Sequence, residues 1–197
     1  MERFMYIDFS PVDDRTIKLA DLAQQTTKAD LKAASDTSID RMLALIAELD
    51  DTAIVFDPTD EGADDPYAVE GEKEIGWSIA HLVAHVTASS EEGAAFSSLL
   101  ARGVTAVEAR PRYETAWRDI TTKAQCIQRL EESRRIRNAY LDTWPDQPHL
   151  DVYRQGMSER FEAYTGKLNA TGNFLLGLWH ETGHFEQFVA VVKQATA

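Results

Sequence analysis

Apolar residues recur every three or four positions in four stretches of the chain, at about 27–53, 77–101, 119–143 and 166–195. This spacing matches the turn of an α-helix and gives each predicted helix one apolar face. A weaker pattern over 13–25 predicts either a separate turn or an extension of the first helix. No stretch shows a convincing strand pattern. The sequence therefore predicts an all-α fold, a four-helix bundle.

The third predicted helix has an apolar face and a strongly charged face. We expect its inner face to consist of Ile120, Ala124, Ile127 and Leu130. The other side carries a run of mixed charges, which we interpret as a solvated surface. That run consists of Glu131, Glu132, Arg134, Arg135 and Arg137.

Proline, glycine and acidic residues mark the connections between the helices. The segment 56–76 contains Pro, Gly and several acids and is predicted to be a surface loop. The segment 103–117 contains Pro111 and is predicted to be a connection. Prolines within 144–148 end the third helix, and a short helix is expected within 152–164.

Length, charge and cysteine content restrict the class of protein. The chain has 197 residues, enough for a single domain over 1–197 with a sizeable core. Its formal net charge of −13 comes without a basic block, which disfavours nucleic acid and anionic membrane surfaces as partners. Cys126 is the only cysteine, so an internal disulfide is excluded. The first residues lack the pattern of a secretion signal, and we expect a cytoplasmic protein.

The last predicted helix carries a narrow line of small and polar residues between bulky apolar ones. Such a line is a poor way to fill a core, and it favours the wall of a pocket. The line consists of Asn173, Gly177, His180, His184, Gln187 and Val191.

The spacing of the histidines indicates a metal site. His180 and His184 are four residues apart, so on a helix both imidazoles can reach one cation. Zinc takes three or four protein ligands, and His85 on the inner face of the second helix is the candidate for the third. His81, one turn earlier, is a possible substitute or an additional ligand. The alternative is that these are ordinary, partly buried histidines with hydrogen-bond partners.

Three neutral imidazoles would leave one coordination position for water or substrate, as in catalytic zinc sites. The segment His180-Glu-Thr-Gly-His184 also fits the His-Glu-x-x-His pattern of zinc peptidases, where the Glu is the general base. A peptidase is disfavoured because the chain has Gln187 and Ala190 where the extended motif needs Gly and His. Glu181 is kept as a candidate base, although it is equally consistent with a solvated residue.

Two other residues are candidates for roles near the metal. Gln187 lies one turn after His184 and is placed to orient a ligand, to contact substrate or to satisfy core backbone. Glu92 lies about 10 Å along its helix from His85 and is a candidate pocket acid or base. Cys126 has no assigned base and is interpreted as a packing residue.

The segments Trp77-Ser-Ile-Ala-His81-Leu-Val-Ala-His85-Val86 and His180-Glu-Thr-Gly-His184-Phe-Glu-Gln187 resemble the DinB/YfiT-like metalloenzymes. The resemblance implies an up-down-down-up four-helix bundle, commonly a homodimer. It also implies that His85, His180 and His184 bind a divalent ion, often zinc or nickel. Many relatives carry a histidine where this chain has Gly183, which removes one competing ligand and lets another group approach closely.

Characterised members of that family are thiol-dependent transferases or isomerases that use bacillithiol, mycothiol or glutathione, and others are hydrolases. The resemblance therefore implies a metal-dependent S-transferase or hydrolase that acts on a small molecule, with a low-molecular-weight thiol as co-substrate. The alternative hypothesis is a non-catalytic dimeric bundle with a structural metal or none.

Overall fold

The computed structural model describes residues 7–63, 71–105 and 115–197. Parts of two predicted connections, at 64–70 and 106–114, lie outside the described residues. Within the described ranges the regular elements are helices, without strands. They are α1 (Ser10–Asp13), α2 (Leu19–Gln24), α3 (Lys28–Ile46), α4 (Asp51–Ile54), α5 (Ile79–Ala101), a 3-10 turn (Trp117–Asp119), α6 (Lys123–Asp142), α7 (Glu159–Thr165), α8 (Ala170–Gly183) and α9 (Phe185–Ala195).

The first long helix is shorter than predicted. It begins after Thr27, whose side chain accepts a hydrogen bond from the Asp30 backbone N–H at 3.2 Å. It ends at Ile46 instead of continuing to about 53, because Asp50 starts the separate helix α4. The Asp50 carboxylate accepts a hydrogen bond from the Ala53 backbone N–H at 2.9 Å, which caps that short helix.

Helix α5 lies between two neighbours. It packs against α8 and α6, and α3 in turn packs against α6 and α8. The α5–α8 contact is unusually close because glycines face it from both sides. A Cβ atom on Gly93 would lie 2.8 Å from the Asn173 carbonyl oxygen, and one on Gly177 would lie 2.9 Å from the Ser90 Cα. These two helices carry His85 and His180, two of the candidate metal ligands, and the third, His184, directly follows α8.

The inner face of α6 differs from the prediction. Ile120 and Leu130 are buried as expected, but Ala124 is exposed and the Ile127 side chain is 38% exposed. The prediction for these two residues is wrong, because a different stripe faces the core. That stripe consists of Cys126, Arg129, Leu130, Ser133, Arg137 and Leu141.

The carboxyl-terminal helix is interrupted where the sequence predicted one continuous helix over 166–195. A short helix, α7, does occupy the region predicted for one, and Gly166 follows it with a φ of 76°. Helix α8 then ends at Gly183, and His184 separates it from α9. The His184 backbone N–H donates to the Glu181 carbonyl at 3.1 Å, a tightened last turn.

None of the helices in the described ranges has the length and apolar character that crossing a membrane requires.

Candidate metal centre

The structure brings His85, His180 and His184 together. His85 lies on α5, His180 on α8, and His184 at the junction of α8 and α9. One potential ligand atom from each residue lies within 4.8 Å of the other two. The Nε2 atoms of His85 and His180 are 3.3 Å apart. The residues predicted from the helical spacing therefore converge on one point.

This geometry fits a divalent cation. Two nitrogens that bind a tetrahedral zinc ion, each at about 2.0–2.1 Å, are separated by about 3.3 Å. The observed distance between the Nε2 atoms of His85 and His180 is 3.3 Å. All three imidazoles are only partly buried, so a ligand can approach them.

Gln187 orients one of the three rings. Its Oε1 atom lies 2.9 Å from Nδ1 of His184, so His184 donates through Nδ1 and leaves Nε2 for a metal. Burial lowers the pKa of His184 and the neighbouring His85 lowers it further, whereas the hydrogen bond with Gln187 and the negative charge of Glu181 oppose this shift. The net lowering of the pKa favours the neutral imidazole, which is the form that binds metals.

An indole forms one wall of the cluster. The Trp77 ring lies 4.6 Å from the His85 ring and stacks on His184 at a centroid distance of 5.6 Å. It also stacks on His81 at 4.4 Å, and Trp117 stacks on His81 from 4.8 Å. His81, the predicted substitute or extra ligand, therefore lies in an aromatic stack beside the three-histidine cluster and is not one of its converging members.

Glu181 is buried, with 1% of its surface exposed, so its interpretation as a solvated residue is wrong. It forms an ion pair with Arg137, whose Nη2 atom lies 2.6 Å from Oε2 of Glu181. Arg137 was predicted on the solvated face of α6, and that prediction is also wrong, since its side chain is fully buried. The partner carboxylate makes the burial of this charge tolerable.

Glu92 and His180 line the same open pocket, which has a volume of about 410 Å³. Glu92 is buried and faces Arg154, whose Nη2 atom lies 3.9 Å from the Glu92 carboxylate. The Arg154 guanidinium also lies 3.8 Å from the centre of the Phe96 ring. Gly177 and His180 both line this pocket, so part of the predicted polar line does form a pocket wall.

Two smaller expectations can be compared with the structure. Cys126 is buried, and burial raises its pKa to about 12, so it is not a thiolate near neutral pH. This agrees with its interpretation as a packing residue. At Gly183 a Cβ atom would meet no atom of the described residues within 4 Å, and the expected close approach of another group stays a prediction.

Sequence reasoning missed the side chains that surround Glu181. They are Ser38, Ser90 and Arg137. The one available indication was spacing, because Arg137 follows Leu130 and Ser133 at helical intervals on α6.

The family comparison agrees with the motifs. A family model for the DinB superfamily matches residues 35–188, more than half of the chain. The match includes all three converging histidines and Gln187. Searches of curated proteins and of solved structures give no match.

Proposed function

Since the chain belongs to the DinB superfamily, we propose that it is a divalent-metal-dependent enzyme whose metal ligands are His85, His180 and His184. The observation that carries the proposal is the convergence of three imidazoles from distant parts of the chain within 4.8 Å of one another. Zinc and nickel are the proposed ions, since both accept imidazole ligands.

A divalent ion with three imidazole ligands would lower the pKa of a thiol or water at its remaining position and so supply a nucleophile near neutral pH. Gln187 accepts a hydrogen bond from Nδ1 of His184, which would leave Nε2 of that ring to hold the ion. Trp77 packs on His85 and His184 and shields one side of the centre from water.

The proposed reaction is an S-transfer or a hydrolysis on a small molecule, with a low-molecular-weight thiol as co-substrate in the first case. The pocket shared by His180 and Glu92 supports a small substrate, since its volume of about 410 Å³ is in the range of small-molecule sites. Glu92 is the proposed acid or base of that pocket. Neither nucleic acid nor a membrane is proposed as a partner.

The finer expectations about architecture also stay proposals. They are a single domain, the up-down-down-up order of the four long helices, a homodimer and a cytoplasmic location. Helix pairing supports the bundle, because α5 packs against α6 and α8, and α3 packs against the same two helices.

The second candidate function is a non-catalytic helical protein. The distance between the Nε2 atoms of His85 and His180, 3.3 Å, also suits a hydrogen bond between two neutral imidazoles. In that case the three histidines would stabilise the fold without an ion, or they would hold an ion with a structural role only.

Metal analysis separates the two candidates. The untagged protein is dialysed against Zn²⁺ or Ni²⁺, and bound metal is measured together with helicity for the wild type and for His180→Ala. We expect one ion for each wild-type chain and its loss in the variant, with helicity retained. A wild type that binds no ion, or a variant that loses its helicity, would favour the non-catalytic protein.

The thiol is tested in the Co²⁺-loaded protein. Glutathione is titrated into it, and a thiolate-to-cobalt absorption band is expected if the open position accepts a thiol. A metal-loaded protein that shows no such band would favour hydrolysis over S-transfer.

A further inference from the structure

Glu181 lies where four helices meet. It is part of α8, and its Oε2 atom accepts hydrogen bonds from Arg137 Nη2 at 2.6 Å and from Ser90 Oγ at 3.0 Å. Its Oε1 atom accepts a hydrogen bond from Arg137 Nη1 at 3.2 Å and another from the Ser38 hydroxyl. The three partners belong to α6, α5 and α3. One side chain therefore fixes α8 against three neighbouring helices.

These contacts are hard to reconcile with a general base. A general base must reach the proton that it abstracts, directly or through one water. Glu181 is fully buried at its side chain, and each of its oxygens already accepts two hydrogen bonds. We therefore interpret Glu181, the Glu of the His-Glu-x-x-His segment, as a structural residue and not as a general base.

The position of Glu181 on the helix connects it to the metal ligands. Glu181 directly follows His180 on α8, and its backbone carbonyl accepts a hydrogen bond from the His184 N–H at 3.1 Å. All three belong to one short stretch of backbone, so a rotation or slide of α8 that moves Glu181 moves both rings. Fixing the carboxylate fixes the direction in which the imidazoles point.

Ser90 extends this connection to the third ligand. It lies on α5, the helix that carries His85. Its hydroxyl contacts both the Glu181 carboxylate, at 3.0 Å, and the Gly177 carbonyl oxygen, at 3.1 Å. The hydroxyl therefore joins the same two helices that the metal centre joins, through contacts with the backbone and with the buried ion pair.

From these contacts we propose that Glu181 is a positioning residue. Together with Arg137 and Ser90, it holds α8 at the rotation and height at which His180 and His184 meet His85. The inference rests on the proposed metal centre. In this proposal the Glu181 carboxylate holds the histidine ligands in place before the ion binds, and it does not transfer a proton.

The first test compares two buried glutamates. Glu181→Gln keeps the shape of the side chain and removes its charge. Its matched control is Glu91→Gln, since Glu91 forms a buried ion pair with Arg129 at 2.5 Å between α5 and α6. For each variant we measure Zn²⁺ affinity by chelator competition, the Co²⁺ absorption spectrum and the unfolding midpoint.

Both variants are expected to unfold at lower denaturant concentration. Only Glu181→Gln is expected to weaken Zn²⁺ binding, by about 10–100-fold, the usual effect of losing a residue that orients metal ligands. It should also shift the Co²⁺ spectrum, whereas Glu91→Gln keeps the wild-type affinity and spectrum. Equal effects of the two variants on Zn²⁺ affinity would overturn the proposal.

Arg137→Met separates positioning from simple electrostatics. This change keeps the Glu181 side chain and removes the guanidinium that holds it. If Glu181 and Arg137 affected the metal centre only through their charges, Arg137→Met would bind Zn²⁺ more tightly than the wild type, because it lacks a positive charge near the ion. Positioning predicts weaker binding in Arg137→Met, as in Glu181→Gln, and opposite changes in the two variants would contradict it.

If Glu181→Gln or Arg137→Met does not fold, smaller substitutions test the positioning role of Glu181. Ser90→Ala removes one hydroxyl from the Glu181 network. Ser98→Ala removes another buried hydroxyl of α5, whose partner is Thr143 Oγ1 at 2.6 Å. We expect weaker Zn²⁺ binding and a shifted Co²⁺ spectrum only in Ser90→Ala. The same Zn²⁺ affinity in both would overturn the proposal.

Failure of this inference differs from failure of the proposed function. A wild-type protein that binds no metal would remove the proposed function, and this inference with it. A wild type that binds Zn²⁺ through its three histidines, together with a Glu181→Gln variant of unchanged affinity and spectrum, would remove the positioning role alone.

Discussion

A Cβ atom on Gly177 would lie 2.9 Å from the Cα of Ser90, so the backbones of α8 and α5 touch at this point. Gly177→Ala must therefore push the two helices apart. We expect a loss of about 1–3 kcal/mol in the free energy of unfolding, the usual cost of overpacking. Because His180 follows on the same helix, Zn²⁺ affinity should fall as well. Urea unfolding and chelator competition measure the two effects.

The matched control is a second glycine of α8. At Gly183 a Cβ atom would meet no atom of the described part of the chain within 4 Å. Gly183→Ala should stabilise the protein by up to about 1 kcal/mol, since alanine favours a helix over glycine. Its Zn²⁺ affinity should not change. Equal destabilisation by the two alanines would contradict the close contact of α5 and α8.

The contact between Gln187 and His184 gives a prediction about ligand orientation. Gln187→Ala removes the acceptor 2.9 Å from His184 Nδ1, and Zn²⁺ affinity should fall by about 10–100-fold. Gln194→Ala is the control, because Gln194 lies on the same helix and contacts the backbone of Thr59 instead. Unchanged affinity in Gln187→Ala would exclude an orienting role.

The lowered pKa of His184 gives the metal-free protein a pH-dependent stability. Burial is the main cause of the lowering, so the folded imidazole resists protonation more than the unfolded one. As the pH falls below about 6.5, the unfolded chain takes up a proton that the folded chain does not, and stability decreases by at most about 1.4 kcal/mol for each pH unit. Stability should therefore be lower at pH 5.5 than at pH 8.

The measurement is urea unfolding of the apoprotein across this range, with His184→Gln as the control. The variant cannot take up this proton, so its stability should depend less on pH. If the free energy of unfolding depended on pH in the same way in the wild type and in His184→Gln, the lowered pKa of His184 would be contradicted. In the same range Zn²⁺ affinity should decrease with falling pH, because protons compete for all three imidazoles.

A comparison of two neighbouring histidines tests the membership of the ligand set. His81→Phe keeps an aromatic ring between Trp77 and Trp117 and should retain one Zn²⁺ for each chain. His85→Phe removes a converging imidazole and should lose it. Loss of the ion in His81→Phe would indicate that His81 is a ligand, and it would contradict a ligand set of His85, His180 and His184 alone.

Helical periodicity predicted the elements better than it predicted their ends. The inward face of α5 and the convergence of His85 with His180 follow from spacing on two amphipathic helices. The ends depend on local details, such as the Asp50 cap that starts α4 and the break at His184. Such details are decided by single hydrogen bonds and not by the average pattern.

The burial of Arg137 could not be predicted from polarity, because an isolated arginine favours water. Its burial depends on Glu181, a carboxylate 44 positions later in the chain that only the fold places beside it. Ile127 is the converse case, an apolar residue that is 38% exposed, while the charged Arg129 two positions later is buried. Hydrophobic patterns cannot identify a core that contains ion pairs.

The central claim is that three imidazoles form one metal centre, and an anomalous diffraction measurement on crystals soaked in Zn²⁺ tests it most directly. We predict one anomalous peak for each chain, at about 2.0–2.1 Å from ring nitrogens of His85, His180 and His184. A peak ligated by other residues, or three rings that coordinate no ion at saturating Zn²⁺, would contradict the claim.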